Sequence, residues 1–480
     1  MPSRERFINE FSKAVADDAS AIFIGAGVSM GAGYPSWKVL LKEIGDELGV
    51  RSDDVHDLTA LAQWSIRKAA GKTQVLKVIR DEIAPDRAIP EVLDIIARLP
   101  CRNLWTTNYD RLIERSFAAI GRPIDPVSSA RDLSIRSRAG ATRLFKMHGT
   151  VDNLNDIVIS TDDYELYRVN RGSFLTVLQA HMTSFSMLFV GLSFTDPNVR
   201  HVLAMIRESF SASPPEHFAI VRPPHRQDFK SDDQFQAQLT QHKLWAEDLL
   251  RYGLQVVEVD SYEEVPGLLK EVERRIAGDR VWVSGSWPVV SSRANNAAYV
   301  TEIARLLGKR LAAENYCLVT GGGLTVGSAS ISGFLDGLQR SGVWDLDRRL
   351  IARPFPQAIG NDAAKPEHWA ALRNEMARVS GTVIFLGGAK EIDGETLVAE
   401  GVLAEFEAAK KADCNLLPVS CTGQAAAVIA TLGAQSAIVE TDSARRWPTS
   451  AELAVLAENE APTVVVENVM KILKRMSSGR

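Results

Sequence analysis

Cysteine is scarce in this chain of 480 residues, which has four, at positions 101, 317, 414 and 421. No two of them form the C-x-x-C pair that a zinc ribbon uses twice, so we expect no zinc site and no other metal. Scattered thiols in a chain of this length indicate reduced side chains of a cytoplasmic protein. The N-terminal residues are charged and have no apolar core like that of a signal peptide, which agrees with that expectation.

Long apolar runs and an excess of positive charge are also missing. The longest apolar runs, such as 187–190, fall well short of the roughly 18 residues that cross a bilayer, so we predict no membrane span. Lys plus Arg total 55 and Asp plus Glu total 60, which gives a net charge of −5. A mildly acidic chain does not favour general nucleic-acid binding, because that function needs a basic face.

Two successive α/β units are indicated by short apolar strands that alternate with helical stretches. This alternation predicts two Rossmann-like domains, each with a doubly wound parallel sheet, over residues 1–276 and 280–480. The predicted strands are 21–24, 103–106, 143–147, 187–190, 217–221 and 254–259 in the first domain, and one from 281, 316–320, 350–352, 382–386 and 414–419 in the second. The tail, 463–480, is predicted to be a strand edge and a final basic helix.

A glycine-rich turn, Gly25-Ala26-Gly27, follows the first predicted strand, with Ser29 two residues later. Glycine permits positive φ and has no side chain, so this turn suits a close approach of the backbone to a pyrophosphate. Position 30 is methionine, so the full G-x-G-x-x-G spacing is not present. By itself, the turn is equally consistent with a plain strand-to-helix connection.

Three more polar clusters follow predicted strands of the first domain, where α/β sheets bind ligands. Each also has an ordinary structural interpretation, as turn and cap residues or as a structural histidine. The clusters contain Asn108 and Asp110, then His148 with Gly149, then Gly191 and Ser193 with Thr195 and Asp196.

The second domain has its own candidate phosphate site. Its first strand ends in Ser284-Gly285-Ser286, and Gly321-Gly322-Gly323 ends the next strand and opens a helix. Consecutive glycines at a helix N-terminus can cradle a phosphate, although a flexible connector has the same composition. Arg373 and Lys390 would supply positive charge to a phosphate, and Glu405 could accept hydrogen bonds from a ribose. Each of these three is otherwise a solvated surface charge.

The four clusters of the first domain, taken together, resemble the sirtuin family. The shared pattern is Gly-Ala-Gly-x-Ser from Gly25, Gly-x-Pro at 33–35, Thr-x-Asn-x-Asp at 106–110, His-Gly at 148–149 and Gly-x-Ser at 191–193. The resemblance covers roughly residues 1–275. Protein-deacylating sirtuins insert a four-cysteine zinc module after the His-Gly, and here 150–275 contains no cysteine.

The resemblance implies breakage of the nicotinamide–ribose bond of NAD+, with water as the acceptor and with nicotinamide and ADP-ribose as products. It makes Asn108 and His148 catalytic, with Asn108 at the ribose and His148 as general base or ribose partner. Further NAD+ contacts that it implies are Gly25, Ala26, Gly27, Ser29, Asp110, Gly191 and Ser193.

The second domain resembles the nucleotide-binding SLOG family, and the order of the two domains resembles the NAD-consuming effectors of the Thoeris antiphage system. That resemblance implies activation by a cyclic ADP-ribose isomer, made by a TIR-domain partner protein, and depletion of NAD during infection. It also implies a homo-oligomer, a tetramer. The activator contacts that we expect are Ser284, Gly285, Ser286, Gly322, Gly323, Arg373, Lys390 and Glu405.

Two alternatives from other classes stay open at this point. An NAD-dependent protein deacylase is disfavoured by the missing zinc cysteines. A nucleotide sensor without catalytic activity is disfavoured by Asn108 and His148, which a pure binder does not need.

Overall fold

The computed structural model describes residues 4–50, 57–194, 199–201, 203–204, 215–288, 294–342, 345–355, 366–436 and 446–478. The chain divides into two compact units, Met1–Glu273 and Arg274–Arg480. Thr195 and Asp196, which the sequence suggested for the first site, lie outside the described residues. In the ranges given above, no helix combines the length and the hydropathy needed to cross a membrane.

The first unit is built on seven parallel strands in the order β3-β4-β2-β1-β5-β6-β7. The predicted parallel, doubly wound sheet is therefore confirmed. The strands are β1 Ser20–Ile24, β2 Asn103–Thr106, β3 Ile124–Val127, β4 Thr142–Lys146, β5 Ser186–Val190, β6 His217–Val221 and β7 Leu254–Glu258. Strand β3 was not predicted, because it is a short edge strand that contains a proline and few apolar residues.

Helices cover both faces of this sheet, as parallel strands require of their crossover connections. Six of them, between residues 26 and 98, form an insertion between β1 and β2. The helices are Arg4–Ala16, Ala26–Gly31, Trp37–Leu40, Lys42–Leu48, Leu58–Lys68, Thr73–Ile83, Glu91–Arg98, Leu112–Ala119, Thr161–Glu165, Tyr167–Ser184, Asp232–Leu249 and Val265–Gly278.

The sheet order fixes where a ligand can bind in the first unit. Strand β1 lies in the centre, with β2 on one side and β5 on the other, so the direction of winding reverses at β1. Crevices form at the carboxyl ends of the strands at such a switch point. The turns that leave β1, β2 and β5 begin at residues 25, 107 and 191, and these turns carry three of the predicted clusters.

The second unit contains five parallel strands in the order β10-β9-β8-β11-β14, and its winding reverses at β8. A separate antiparallel hairpin, β12–β13, was not predicted. The strands are β8 Arg280–Ser286, β9 Cys317–Thr320, β10 Leu350–Ala352, β11 Thr382–Gly387, β12 Ala389–Ile392, β13 Glu395–Val398 and β14 Asn415–Val419.

The helices of the second unit pack on the two faces of its sheet. Neighbouring strand residues face opposite cores, so Val281 and Val283 lie in one core and Trp282 in the other. The helices are Ala294–Ala313, Val326–Ser341, Leu346–Arg349, Pro366–Val379, Glu400–Lys411, Gln424–Ser436, Ser450–Ala457 and Pro462–Ser478.

The predicted strand edge at the start of the C-terminal tail is wrong. Residues 462–478 form one helix. Its β-branched residues suggested a strand, but Val465, Val469 and Leu473 recur at helical spacing and are all buried. Pro462 occupies the first helical position, where its missing N–H leaves no hydrogen bond unmade.

Two histidines, one fully and one largely buried, make the first unit sensitive to acid. His217 on β6 is inaccessible to solvent, and its Nδ1 accepts a hydrogen bond from the Met187 N–H at 3.2 Å. His181 accepts one from the Trp105 indole N–H at 3.1 Å. Burial lowers the pKa of each imidazole from 6.5 to about 4.

We predict that acid lowers the free energy of unfolding through these histidines. In the unfolded chain these imidazoles take up protons below pH 6.5, whereas in the folded protein they stay neutral until about pH 4. The free energy of unfolding is therefore fully present above pH 6.5 and falls as the pH decreases from 6.5 to about 4. Each histidine should lower the free energy of unfolding by about 2 kcal/mol between pH 7 and pH 5. Urea unfolding of wild type and His217→Asn, whose amide oxygen keeps the acceptor for Met187, measures this. An equal loss of stability in both proteins would contradict it.

Candidate functional site

The glycine turns after β1 and β5 pack directly against each other. The Gly25 N–H donates to the Val190 carbonyl at 2.8 Å, and the Gly27 N–H donates to the Gly191 carbonyl at 2.9 Å. A Cβ on Gly25 would lie 2.3 Å from the Gly191 oxygen, and Gly191 itself has φ +68°. Gly25 must therefore be glycine because the neighbouring turn occupies the space of a side chain. Ala26, Gly27 and Ser193 are exposed along the paired turns.

A hydrogen-bonded chain of Asp110, Ser29 and Asn108 lies beside these turns. Ser29 Oγ donates to Asp110 Oδ2 at 2.6 Å, while Asn108 Nδ2 donates to Ser29 Oγ at 2.8 Å and to the Gly25 carbonyl at 3.0 Å. An ionised carboxylate can only accept, so the Ser29 proton is committed to Asp110 and its lone pair to Asn108. This sequence of donors fixes which way the Asn108 amide points.

The oxygen of the Asn108 amide has no hydrogen-bond partner among the described residues. Asn108 Oδ1 is buried and accepts no hydrogen bond within the part of the chain that the structure describes. Because Asn108 is only 8% exposed, this acceptor is largely closed to solvent and is available to a bound ligand. Asp110 Oδ1 also accepts a hydrogen bond from the Leu112 N–H at 2.9 Å, so the structural interpretation of Asp110 as a turn residue before the helix Leu112–Ala119 holds as well.

His148 occupies the position after β4 that matches the position of Asn108 after β2. Thr106 pairs with Lys146 in the sheet, and each of the two candidate residues follows the end of its strand by two positions. The imidazole is 2% exposed. Gly149 has φ +87°, and a Cβ there would lie 2.6 Å from the Asp156 carbonyl oxygen. Glycine at this position therefore allows the chain to turn back.

Lys146 is a buried charged residue beside the candidate site that sequence analysis missed. It is 1% exposed, and its Nζ donates to the Asp110 carbonyl at 2.5 Å and to Glu114 Oε1 at 2.7 Å. A buried ammonium needs such compensation, so Lys146 ties the loop of Asn108 and Asp110 to β4. The available signal was a lysine inside the apolar run of Leu144, Phe145 and Met147.

In the second unit, Ser284 and Glu405 meet at the carboxyl end of β8. Ser284 Oγ donates to Glu405 Oε2 at 2.5 Å, and the glutamate is 8% exposed. Burial raises the pKa of Glu405 to about 7, while the Ser284 hydrogen bond and the Arg373 charge act in the opposite direction. Gly285 is required for packing, because its Cβ would lie 2.1 Å from the Leu386 carbonyl oxygen on β11.

The triple glycine lies next to this strand end. An added Cβ on Gly323 would meet nothing within 4 Å except the Gly285 oxygen at 3.7 Å, so its backbone is open. Gly322 has φ +66°. Gly321 is different, since a side chain there would collide with the Phe355 ring at 2.5 Å.

The basic residues of the second unit have different surroundings. The Arg373 guanidinium carbon lies 5.3 Å from the centre of the Phe355 ring and 5.9 Å from that of Trp369. Its buried Nε has no hydrogen-bond partner among the described residues. Lys390 instead forms an ion pair with Glu400 at 3.3 Å.

The structure therefore brings Ser284, Arg373 and Glu405 together, with the glycine turn alongside. Lys390 is linked to them through its neighbour in the chain, since Ser286 Oγ donates to the Ala389 carbonyl at 2.9 Å. Within the described ranges, no three His, Cys, Asp or Glu side chains are grouped so as to hold a metal.

Comparison with known families agrees with this two-part organisation. The SIR2-like domain family matches residues 102–248, and the Sir2- and TIR-associating SLOG family matches residues 264–476. A SIR2-like domain followed by a SLOG domain is the class that the fold and the two sites define.

Whole-chain comparisons give the family. The chain is 33% identical to the NAD(+) hydrolase ThsA of Bacillus cereus (strain MSX-D12). The 424 aligned residues cover 88% of each protein. It is 31% identical to the NAD(+) hydrolase ThsA of Cytobacillus dafuensis, over 88% of this chain and 86% of that one, and 31% identical to that of Acinetobacter baumannii (strain 532279), over 87% of each. The protein belongs to the ThsA family, and its predicted resemblance to Thoeris effectors is confirmed.

We predict that Gly25→Ala destabilises the first unit and damages its site. The new Cβ would overlap the Gly191 backbone, which cannot move without breaking its hydrogen bond with Gly27. A loss of about 2 kcal/mol or more is expected for such overpacking. Gly31→Ala is the matched control, because nothing lies within 4 Å of its Cβ position and the glycine is helical. Urea unfolding should separate the two variants, and equal stabilities would contradict the prediction.

Proposed function

We propose that this protein hydrolyses NAD+ to nicotinamide and ADP-ribose in its first unit. The observation that carries the proposal is the oriented Asn108 amide, whose buried Oδ1 has no hydrogen-bond partner among the described residues, at the switch point of the sheet. His148 lies two positions after the end of β4, the strand next to β2. The relatives named NAD(+) hydrolase support the same reaction.

The chemistry requires protein groups around a ribose carbon that becomes positively charged. As the bond from C1′ to nicotinamide breaks, its electron pair leaves with the pyridine ring and the ribose becomes oxocarbenium-like. Asn108 Oδ1 accepts a hydrogen bond from the attacking water or a ribose hydroxyl. His148 accepts the proton that the water loses. The paired turns, with exposed Gly27 and Ser193, lie where the phosphates and ribose of NAD+ would bind.

We predict that Asn108→Ala and His148→Ala each lower nicotinamide release by about 10²–10⁴-fold, the usual value of a positioned acid or base. Because His148 is 2% exposed, its truncation leaves a cavity, so His148→Gln serves as a variant of closer volume. His225→Ala, on a partly exposed turn after β6, is the control and should keep full activity. Folded variants that release nicotinamide at the wild-type rate would remove these residues from the mechanism.

We further propose that the second unit senses a cyclic ADP-ribose isomer made by a TIR-domain partner protein, and that this ligand activates NAD+ hydrolysis in antiphage defence. The description of the matching SLOG family as Sir2- and TIR-associating supports this. Arg373 would bind a phosphate, Glu405 and Ser284 a ribose, and the open backbone at Gly323 would donate N–H groups. A ligand activates only by its differential affinity for two states, commonly 1–3 kcal/mol, or about 5–150-fold.

We predict that Arg373→Ala loses activation by the nucleotide and keeps any basal hydrolysis, since the proposed catalytic residues belong to the other unit. Arg378→Ala is the matched control, an exposed arginine on the same helix. Nicotinamide release is measured against titrated cyclic ADP-ribose isomers for all three proteins. Activation of Arg373→Ala at the wild-type concentration would rule out this residue as a ligand contact.

We also propose that the protein assembles as a homo-tetramer. Light scattering at micromolar concentration should then give about four times the chain mass of 52.6 kDa. A measured mass equal to that of the single chain would contradict this proposal.

A further inference from the structure

Two tyrosine rings enclose the imidazole of His148. The centre of the Tyr164 ring lies 5.4 Å from that of His148, and the Tyr167 ring lies 6.2 Å away. Both are nearly perpendicular to the imidazole, at 76° and 77°. This edge-to-face packing, with His148 only 2% exposed, leaves little space beside the proposed base.

Tyr167 is held rigidly in this position. It is 1% exposed, and its hydroxyl donates to the Met147 carbonyl at 3.0 Å, directly before His148 in the chain. Arg171 donates to the same carbonyl at 3.2 Å and to the Asp156 carbonyl at 2.5 Å. Tyr167 and the turn after His148 therefore form one hydrogen-bonded assembly.

The short helix that carries Tyr164 is held by a different set of contacts. This helix, Thr161–Glu165, begins with a capping box of Ser160 and Asp163. Gln63 of the helical insertion exchanges two hydrogen bonds with Asp162, at 2.7 and 3.1 Å, and Lys72 forms an ion pair with Asp163. These contacts hold the backbone from which the Tyr164 ring packs against His148.

We propose that Tyr164, backed by Tyr167, restricts the acceptor at His148 to water and excludes larger nucleophiles. This inference rests on the proposed NAD+ hydrolysis. Two aromatic rings packed against a largely buried imidazole narrow the approach to it, which favours a water molecule over a chain of several carbon atoms. Tyr164 is thus a specificity-determining residue, which makes the protein a hydrolase and not a transferase.

The step balances for either acceptor. The C1′–N bond to nicotinamide breaks and its electron pair neutralises the pyridinium. With water, a C1′–O bond forms, and the proton passes to His148 and then to solvent. With an alcohol, the same events give an alkyl ADP-riboside, so the two products report directly on which acceptor reached C1′.

The test is a competition between acceptors, using the full chain with NAD+ and the activating cyclic ADP-ribose isomer. Methanol or n-butanol is added, and mass spectrometry measures the ratio of alkyl ADP-riboside to ADP-ribose. Wild type should discriminate strongly against butanol relative to methanol. Tyr164→Ala should reduce that discrimination about tenfold or more, since a few methylene groups in a fitted pocket carry at least that selectivity. Tyr164→Phe, which keeps the ring, should behave as wild type does.

Matched variants make each outcome decisive. Tyr262→Ala, a tyrosine 60% exposed on the same unit, should alter neither the rate nor the product ratio. If Tyr164→Ala does not fold, Tyr164→Leu opens the same side with less loss of volume. An unchanged product ratio in an active alanine or leucine variant overturns the inference, as does butyl transfer by wild type. Absence of nicotinamide release by activated wild type overturns the proposed function too, which distinguishes the two failures.

Discussion

The backbone contact between the turns after β1 and β5 is the constraint on which the first site depends. Parallel neighbouring strands bring Gly25 and Gly191 so close that neither position has room for a side chain. With the turns locked in this way, the Gly25 carbonyl becomes a fixed acceptor for the Asn108 amide. The precision of the site thus comes from the sheet, through a carbonyl group that cannot move.

The second unit applies the same constraint to a different set of side chains. Gly285 near the end of β8 packs so closely against the β11 backbone that a side chain would not fit. Gly25 packs in the same way against the turn after β5. Winding reverses at the central strand in both sheets, so each crevice opens where a glycine ends that strand. What differs is the chemistry around it, which is an amide and an imidazole in one unit and an arginine with a buried glutamate in the other.

Several buried polar groups in the two sites are compensated, and this compensation gives them a single geometry. Lys146 has a carbonyl and a carboxylate, Ser29 has one donor and one acceptor partner, and Glu405 has Ser284. In a medium of low dielectric constant, losing any one of these bonds would cost more than the bond contributes in water. Asn108 Oδ1 is an exception in the described part of the first site, and it is the atom that we assign to the substrate.

The sequence alone determined the alternation of strands and helices, the two parallel sheets and the positions of the polar clusters, because apolar periodicity and glycine turns are local signals. It failed at β3, an edge strand with a proline, and in the tail, where β-branched residues hid a helical period. Only the tertiary structure decided why Gly25 must be glycine, which way the Asn108 amide points, and that Tyr164 and Tyr167 enclose His148. These facts depend on contacts between segments far apart in the chain, and no local pattern encodes the distance between two such segments.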